Sequence, residues 1–210
     1  MLPHLLKGIS LGLVLTMLVG PILVLFIQLS LRRGTVAALV AGLGVWVGDF
    51  LYILMTHYGV AGLQTIISNP WFKPVVGSVL GAVFIVMAVV MWFRSPPDLD
   101  RPRRAVGRRG LLNAFAQGFA VNFFNPFTVG FWSVVSVVEV HNAGLTEAQG
   151  WAVYLGIIGT IVITDSLKIF GARRLRNVLT PRVLRWVQWG GAGLVGVFGV
   201  VLVVRVWAGY

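Results

Sequence analysis

Two acidic residues, Asp49 and Asp165, lie well inside long apolar stretches of the sequence. A carboxylate inside a lipid bilayer is costly, so it usually faces a cavity or a partner and marks a site of binding or coupling. Each of these residues could bind the ammonium group of a substrate or take up a coupling proton. A structural polar pair is the alternative interpretation. Asp49 and Asp165 are therefore the first candidates for substrate binding or coupling.

Lys168 follows Asp165 by one helical turn, and this spacing predicts an ion pair on one helix face. A substrate with its own ammonium and carboxylate groups could break the pair by binding to both partners. Alternatively, Lys168 extends its amine toward the membrane interface near Arg173. The spacing alone favours neither interpretation.

Three neutral hydrogen-bonding residues, Gln117, Asn122 and Asn125, share one apolar stretch. Their amides are candidates for substrate binding, and the alternative is that they form hydrogen bonds between helices. His57 falls near the end of the stretch that contains Asp49, and we interpret it as an interfacial histidine.

Proline interrupts two of the apolar stretches, at Gly20-Pro21 and at Asn125-Pro126. A proline inside a helix removes one backbone hydrogen bond, which predicts free carbonyls at Met17 and Asn122. The half-helices that begin after Pro21 and Pro126 would also direct positive N-terminal ends toward an anionic group of a substrate. The alternative is a pair of ordinary kinks satisfied by neighbouring helices.

The composition indicates that these candidate residues lie on helices in a membrane. Of the 210 residues 58% are hydrophobic and 11% are charged, and the mean hydropathy is +0.90, which indicates that the chain is surrounded mostly by lipid. Helices are then expected, because lipid offers no hydrogen bonds to an open backbone. The net charge of +11 comes from short basic clusters between apolar stretches. Such clusters are typical of membrane anchors, and we expect no nucleic-acid partner.

The apolar stretches, separated by polar and basic segments, predict six transmembrane helices and an all-α fold. Arginines concentrate in the first, third and fifth connections, which predicts that these connections are cytoplasmic and that both termini are periplasmic in a bacterial inner membrane. The predicted spans are 5–31, 35–58, 74–93, 111–138, 149–171 and 183–207.

Three spans per half require that any repeat be inverted in the membrane. The two proline interruptions and the two inner aspartates fall at similar depths in the two halves, which supports such a repeat. We predict one three-helix repeat over residues 1–93, a basic cytoplasmic loop over 94–110 and a second repeat over 111–210. Small residues spaced by four, as in Gly44-x-x-x-Gly48, favour close internal helix packing, with a homodimer face as the alternative.

These residues resemble the lysine exporter and homoserine/threonine exporter (LysE/RhtB) family along nearly the whole chain. In the second half the resemblance rests on Gln117-Gly118-Phe119 and Asn122-x-x-Asn125-Pro126. In the first half it rests on Gly20-Pro21, Arg33-Gly34, Gly42-x-Gly44, Gly48-Asp49 and Gly59.

The resemblance implies outward transport of amino acids or related small zwitterions, driven by the proton gradient or the membrane potential. It also implies a function for Asp49 and for both proline interruptions. An exporter of divalent metal or other inorganic ions is one alternative, although the three histidines are scattered along the chain.

A membrane assembly factor or membrane enzyme is the other alternative. The sequence shows no nucleophile paired with a base, no metal-ligand spacing and no phosphate-binding loop. It has no cysteine, which excludes disulfides and thiolate sites. We therefore expect neither an enzyme nor a cofactor.

Overall fold

The structure, a computed structural model, describes residues 1–17, 21–67, 72–93, 107–172, 174 and 180–208. Gly20 and most of the predicted basic loop, residues 94–106, lie outside these ranges. Throughout the described ranges the regular structure is helical. A π-helical segment, Val135–His141, continues directly from the sixth of the eight α-helices described here. The helices are α1 Leu2–Met17, α2 Pro21–Arg33, α3 Thr35–Ile67, α4 Phe72–Phe93, α5 Arg108–Phe123, α6 Pro126–Val134, α7 Glu147–Phe170 and α8 Pro181–Trp207.

Local sequence signals account for several helix ends. Proline is the first residue of α2, α6 and α8, a position where its missing N–H is not needed for the helix. Gly34 separates α2 from α3 with φ of 93°, a conformation that glycine adopts without steric cost. A capping box starts α7, with the Thr146 hydroxyl accepting from the Gln149 N–H and the Gln149 side chain accepting from the Thr146 N–H.

One predicted boundary needs correction. The second predicted span ends at residue 58, close to the end of the membrane-crossing stretch Thr35–Gly59, although α3 itself continues to Ile67. The fourth predicted span ends at residue 138, whereas the π-helical segment carries the helix on to His141. The connection to α7 is therefore short, and it turns at Gly144, which has a φ of 63°.

Three described helical stretches are long and apolar enough to cross a membrane, namely Thr35–Gly59, Glu147–Phe170 and Gln188–Trp207. A fourth crossing results if Arg108–Phe123 and Phe127–His141, which meet at a bend of 62°, are counted as one span. Leu2–Thr16 and Gly77–Phe93 are apolar but shorter. The predicted all-α membrane class is thus present, while the count of six spans in two inverted repeats stays a prediction.

The chain divides into two compact units. The first unit contains α1, α2, α3 as far as His57, α5, α6, the π-helical segment and α7. The second unit contains the rest of α3 together with α4 and α8. Each unit draws helices from both halves of the sequence, and the division into repeats over 1–93 and 111–210 remains a prediction.

Glycine allows close helix contacts inside the first unit. A Cβ atom on Gly44 would collide with the Phe115 carbonyl, and one on Gly118 would collide with the Ala41 carbonyl. The backbones of α3 and α5 therefore touch at this crossing. One turn further along both helices, Gly48 lies against the side chain of Asn122. This contact sets the register that brings α5 to the carboxylate of Asp49.

The second unit is built around α4 and α8. Gly77 and Gly81 of α4 face Val206 and Val203 of α8, so these small residues serve contacts within one chain. The indole N–H of Trp207 donates to the hydroxyl of Ser78 at 3.0 Å. The aromatic pairs Phe84–Phe198 and Trp92–Trp189 complete the packing.

Candidate functional site

Asp49 lies at the centre of a buried hydrogen-bonded cluster in the first unit. Its side chain is on α3 and the residue is only 4% exposed. The Oδ1 atom accepts two hydrogen bonds, from Asn122 Nδ2 at 2.9 Å and from the indole Nε1 of Trp132 at 2.9 Å. Both donors are neutral, and no basic side chain among the described residues contacts this carboxylate. Asp49 is thus a buried acid whose charge is not balanced by a described cation.

Asn122 connects α3 with α5 and α6. Its Nδ2 donates to the Val45 carbonyl at 2.8 Å as well as to Asp49. Its Oδ1 accepts from the hydroxyl of Thr128 at 2.9 Å. Both amide hydrogens and the amide oxygen are therefore engaged, and the side chain is held in one orientation.

Asn125 and Pro126 lie at the junction of α5 and α6 and are not part of the cluster. The Asn125 side chain caps α6 by accepting from the Phe127 N–H at 3.1 Å, and Pro126 is the first residue of that helix. Asn125 contacts the site through its backbone, where its carbonyl accepts from the Thr128 N–H at 3.0 Å.

The sequence predicts that Pro126 leaves the Asn122 carbonyl free, and this prediction is wrong. The Asn125 N–H donates to that carbonyl at 3.0 Å, because the chain turns back on itself before the proline. The nearby Phe123 carbonyl accepts from the hydroxyl of Tyr52. These two carbonyls at the C-terminal end of α5 are thus hydrogen-bonded, and the group of Asn122 that reaches Asp49 is its side chain.

Asp165 lies in a second cluster, on α7, and is also 4% exposed. Its Oδ1 pairs with Lys168 Nζ at 3.1 Å, so the ion pair predicted from the spacing is present. Its Oδ2 accepts from the indole Nε1 of Trp46 at 3.4 Å. Trp46 lies one turn before Asp49 on α3, and the two carboxylates lie within electrostatic range of one another. The structure therefore brings both acids to the same region of the first unit.

The remaining predicted residues lie elsewhere. Gln117 is partly buried on α5, but five residues from Asn122 correspond to a rotation of about 140° around the helix, so it faces away from the cluster. Gly20 lies outside the described residues. Pro21 begins α2, and its side chain is outside what the structure describes.

The sequence analysis does not identify three residues of the two clusters as site residues: Trp46, Thr128 and Trp132. The signal for Trp132 is nevertheless present. A fully buried indole N–H needs an acceptor, and the chain has only six acidic residues, two of them deep in apolar stretches. Inner tryptophans are therefore natural partners for the inner carboxylates.

Residues 13–205 match the family model of the LysE type translocator. The chain belongs to the LysE translocator family. Together with its apolar helices, this membership makes it a multi-pass membrane transporter.

A relative from Bacillus subtilis (strain 168), named "Putative amino acid efflux protein YcgF", is 28% identical over 205 residues. The match covers 95% of this LysE-family chain and 91% of the relative. No solved structure matches the chain significantly.

Proposed function

We propose that this LysE-family protein exports amino acids or related small zwitterions across the bacterial inner membrane, with the proton gradient or the membrane potential as the driving force. The observation that carries the proposal is the placement of Asp49, a buried acid held by neutral donors, beside the ion pair of Asp165 and Lys168. Family membership and the printed name of the relative from B. subtilis support the same function.

Asp49 is the proposed site for the substrate ammonium group. Both described donors bind its Oδ1, which leaves Oδ2 to accept from an ammonium or to take up a proton. Asn122 and Trp132 hold the carboxylate in place before the substrate arrives. Such preorganisation lowers the cost of binding, because little side-chain freedom is lost on association.

The ion pair is the proposed site for the other end of the substrate. A zwitterion that offers its carboxylate to Lys168 replaces Asp165 as the partner of that cation. The exchange leaves the buried carboxylate of Asp165 without its cation, so opening of the pair requires a further positive charge, from a proton or from the substrate.

The charges of this region also bear on the coupling. Asp49, Asp165 and Lys168 together carry one excess negative charge when all three are ionised. A neutral zwitterion leaves that charge unbalanced, whereas a zwitterion plus one proton, or a cationic amino acid alone, balances it. Export of neutral amino acids should therefore depend on proton uptake, and export of cationic ones should depend on it much less.

The test is an efflux screen in cells that express the protein and are loaded with labelled amino acids, compared with the same cells expressing Asp49→Asn. We expect rapid efflux of at least one class of amino acid with the wild-type chain and none with the variant. Immunoblots of membranes must show equal amounts of both proteins. Undiminished efflux by Asp49→Asn would contradict the assigned role.

The same cells distinguish the two alternatives. Among the described residues no group of three or more histidine, cysteine or acidic side chains is placed to hold a metal ion. If the protein instead protects cells against nickel or cadmium and exports no amino acid, an ion exporter replaces the proposal. If neither activity is detected, an assembly factor becomes the better interpretation.

A further inference from the structure

Arg33 continues the inward face of α2 at one end of the first unit. Phe26, Leu29 and Ser30 of this helix are buried, and Arg33 follows them at helical spacing on the same side. Helical side chains lean toward the N-terminal end of their own helix, which for Arg33 is the direction of Ser30. The guanidinium group therefore lies along a buried face of the helix, and the residue is only partly exposed.

One atom of this guanidinium group is a buried hydrogen-bond donor. Its Nη1 is shielded from solvent, and no acceptor within the part of the chain that the structure describes forms a hydrogen bond with it. A buried donor on a charged group is costly when it makes no hydrogen bond, because the water that it loses is not replaced. An anionic ligand at Nη1 would remove this cost.

Contacts along α7 establish which residues lie close to Arg33. Gly8 of α1 packs against Gly156 of α7, and further along the chain the hydroxyl of Ser30 in α2 donates to the Ile169 carbonyl at 3.2 Å. The positions advance together on both sides of these contacts. The chain from α1 to α2 therefore runs in the same direction as α7, and both end at the same end of the first unit.

Arg33 and Lys168 follow one another toward this end. Lys168 is the residue before Ile169, whereas Arg33 lies one helical turn beyond Ser30 toward the C-terminus of α2. A ligand that enters here meets Arg33 before it reaches Lys168. We call this end of the first unit the cytoplasmic entrance, because the arginine distribution assigns it to the cytoplasm, from which an exporter takes its substrate.

We propose that Arg33 binds the carboxylate of the amino-acid substrate at the cytoplasmic entrance, before that carboxylate passes to Lys168. The inference rests on the proposed function and adds the first binding position of the substrate. A guanidinium suits this role, since its fork of donors matches the two oxygens of a carboxylate. Lys168 is paired with Asp165, whereas no acid among the described residues forms an ion pair with Arg33. A carboxylate therefore reaches Arg33 without displacing another one.

The phosphate of an anionic lipid offers similar acceptor oxygens, and the position of Arg33 favours the substrate. Lipid headgroups surround the outer surface of a helix bundle. Arg33 instead shares a helix face with Phe26 and Ser30, which pack inside the first unit. A lipid at this residue is accordingly an outcome that the test must separate from the proposal.

The test measures transport from the cytoplasmic side. Inside-out membrane vesicles expose that side and take up the labelled amino acid that the efflux screen identifies. Arg33→Gln should raise the KM of uptake about tenfold or more, as expected for loss of one hydrogen bond to a charged group, and should change the maximal rate by less than about twofold. The matched control is Arg108→Gln, which removes an exposed arginine at the start of α5 and should leave KM unchanged.

A conservative variant separates binding from folding. Arg33→Lys keeps the positive charge and loses the fork of donors, so its KM should rise by about two- to threefold. If Arg33→Gln does not reach the membrane, the KM of Arg33→Lys decides. A lower maximal rate with an unchanged KM would mean that Arg33 only supports the fold, and would overturn the inference.

Vesicles of defined composition test the lipid. The purified protein and Arg33→Gln are reconstituted in phosphatidylcholine alone and in phosphatidylcholine with phosphatidylglycerol. We expect the difference in KM to be the same in both. If it disappears in phosphatidylcholine alone, a lipid phosphate binds Arg33 and the inference is wrong.

Binding without transport distinguishes this site from the proposed function. Thermal unfolding of the purified chain is measured with a panel of amino acids and with their carboxyl amides, which lack the carboxylate. If only the amino acids stabilise the wild type, Arg33→Gln loses the effect and vesicles take up nothing, the site stands and the proposed function fails. If uptake occurs with the same KM in the wild type and in Arg33→Gln, the site fails and the proposed function stands. A wild-type chain that no amino acid stabilises would also overturn the site.

Discussion

Asn122 donates to the Asp49 carboxylate at 2.9 Å although the two residues lie on different helices and 73 positions apart in the chain. The same amide nitrogen donates to the Val45 carbonyl, and the amide oxygen accepts from Thr128. One side chain therefore fixes the orientation of the buried acid and joins it to both sides of the bend between α5 and α6.

Asn122→Ala should reduce export by about tenfold or more. The substitution removes a hydrogen bond to a charged group, and such bonds contribute about 1.5 to 3 kcal/mol. It also leaves the buried hydroxyl of Thr128 without its acceptor. Initial efflux rates from loaded cells measure the effect. The matched control is Asn113→Ala, which removes an exposed amide from the same helix and should export normally.

Lys168→Gln should destabilise the protein more than Asp165→Asn combined with Lys168→Gln. The single variant leaves the buried carboxylate of Asp165 without its cation, whereas the double variant removes both charges. Lys168 is a quarter exposed, so we expect a difference of about 1 to 2 kcal/mol rather than the full cost of a buried charge. Thermal unfolding of the purified protein in detergent measures it. Equal stability of the two variants would mean that the pair is not coupled.

Gly118→Ala should disrupt the site from a distance. A Cβ atom at this position would collide with the Ala41 carbonyl and force α5 away from α3. Asn122 would then lose its contact with Asp49, so both export and thermal stability should fall. Gly159→Ala on α7 is the control, since a Cβ there meets no atom within 4 Å beyond the backbone of its own helix. That variant should be as stable as the wild type or slightly more stable, because alanine favours helix over glycine.

Gln117→Ala should leave export unchanged to within about twofold, because this side chain lies about 140° around α5 from Asn122, which contacts Asp49. The sequence by contrast makes Gln117 a candidate of the same standing as Asn122. Efflux of the same substrate, measured in cells with equal amounts of each variant in the membrane, shows whether Gln117 contributes to the site as Asn122 does. A loss as large as that in Asn122→Ala would show that the site extends around α5.

The sequence predicts much of the site, because membrane burial leaves few polar residues to choose from. Asp49 and Asp165 are recognisable as acids in apolar stretches, and helical spacing makes Lys168 a neighbour of Asp165. The spacing does not decide between an ion pair and a lysine extended to the interface. The C-terminal end of α2 is predictable from its two arginines, and the start of α7 is predictable from its capping box.

Contacts between helices are not predictable in this way. The bond between Asn122 and Asp49 depends on the register of α3 against α5, which is set where Gly44 and Gly118 let two backbones touch. Glycines at similar spacing occur throughout the chain, so the sequence does not indicate which of them meet. The π-helical segment is not predictable for another reason, since the valines of Val135–His141 extend the apolar character of α6 and no residue type marks the change of helix geometry.

The bend of 62° between α5 and α6 has a consequence for how the protein can move. Asp49 is held by Asn122 before the bend and by Trp132 after it, while Thr128 links the two sides. On the proposed function, a positive charge that binds Oδ2 of Asp49 weakens the hold of the carboxylate on both donors at once, because it draws negative charge away from Oδ1. Cargo at a single carboxylate would then be registered by the helix segments on either side of the bend together.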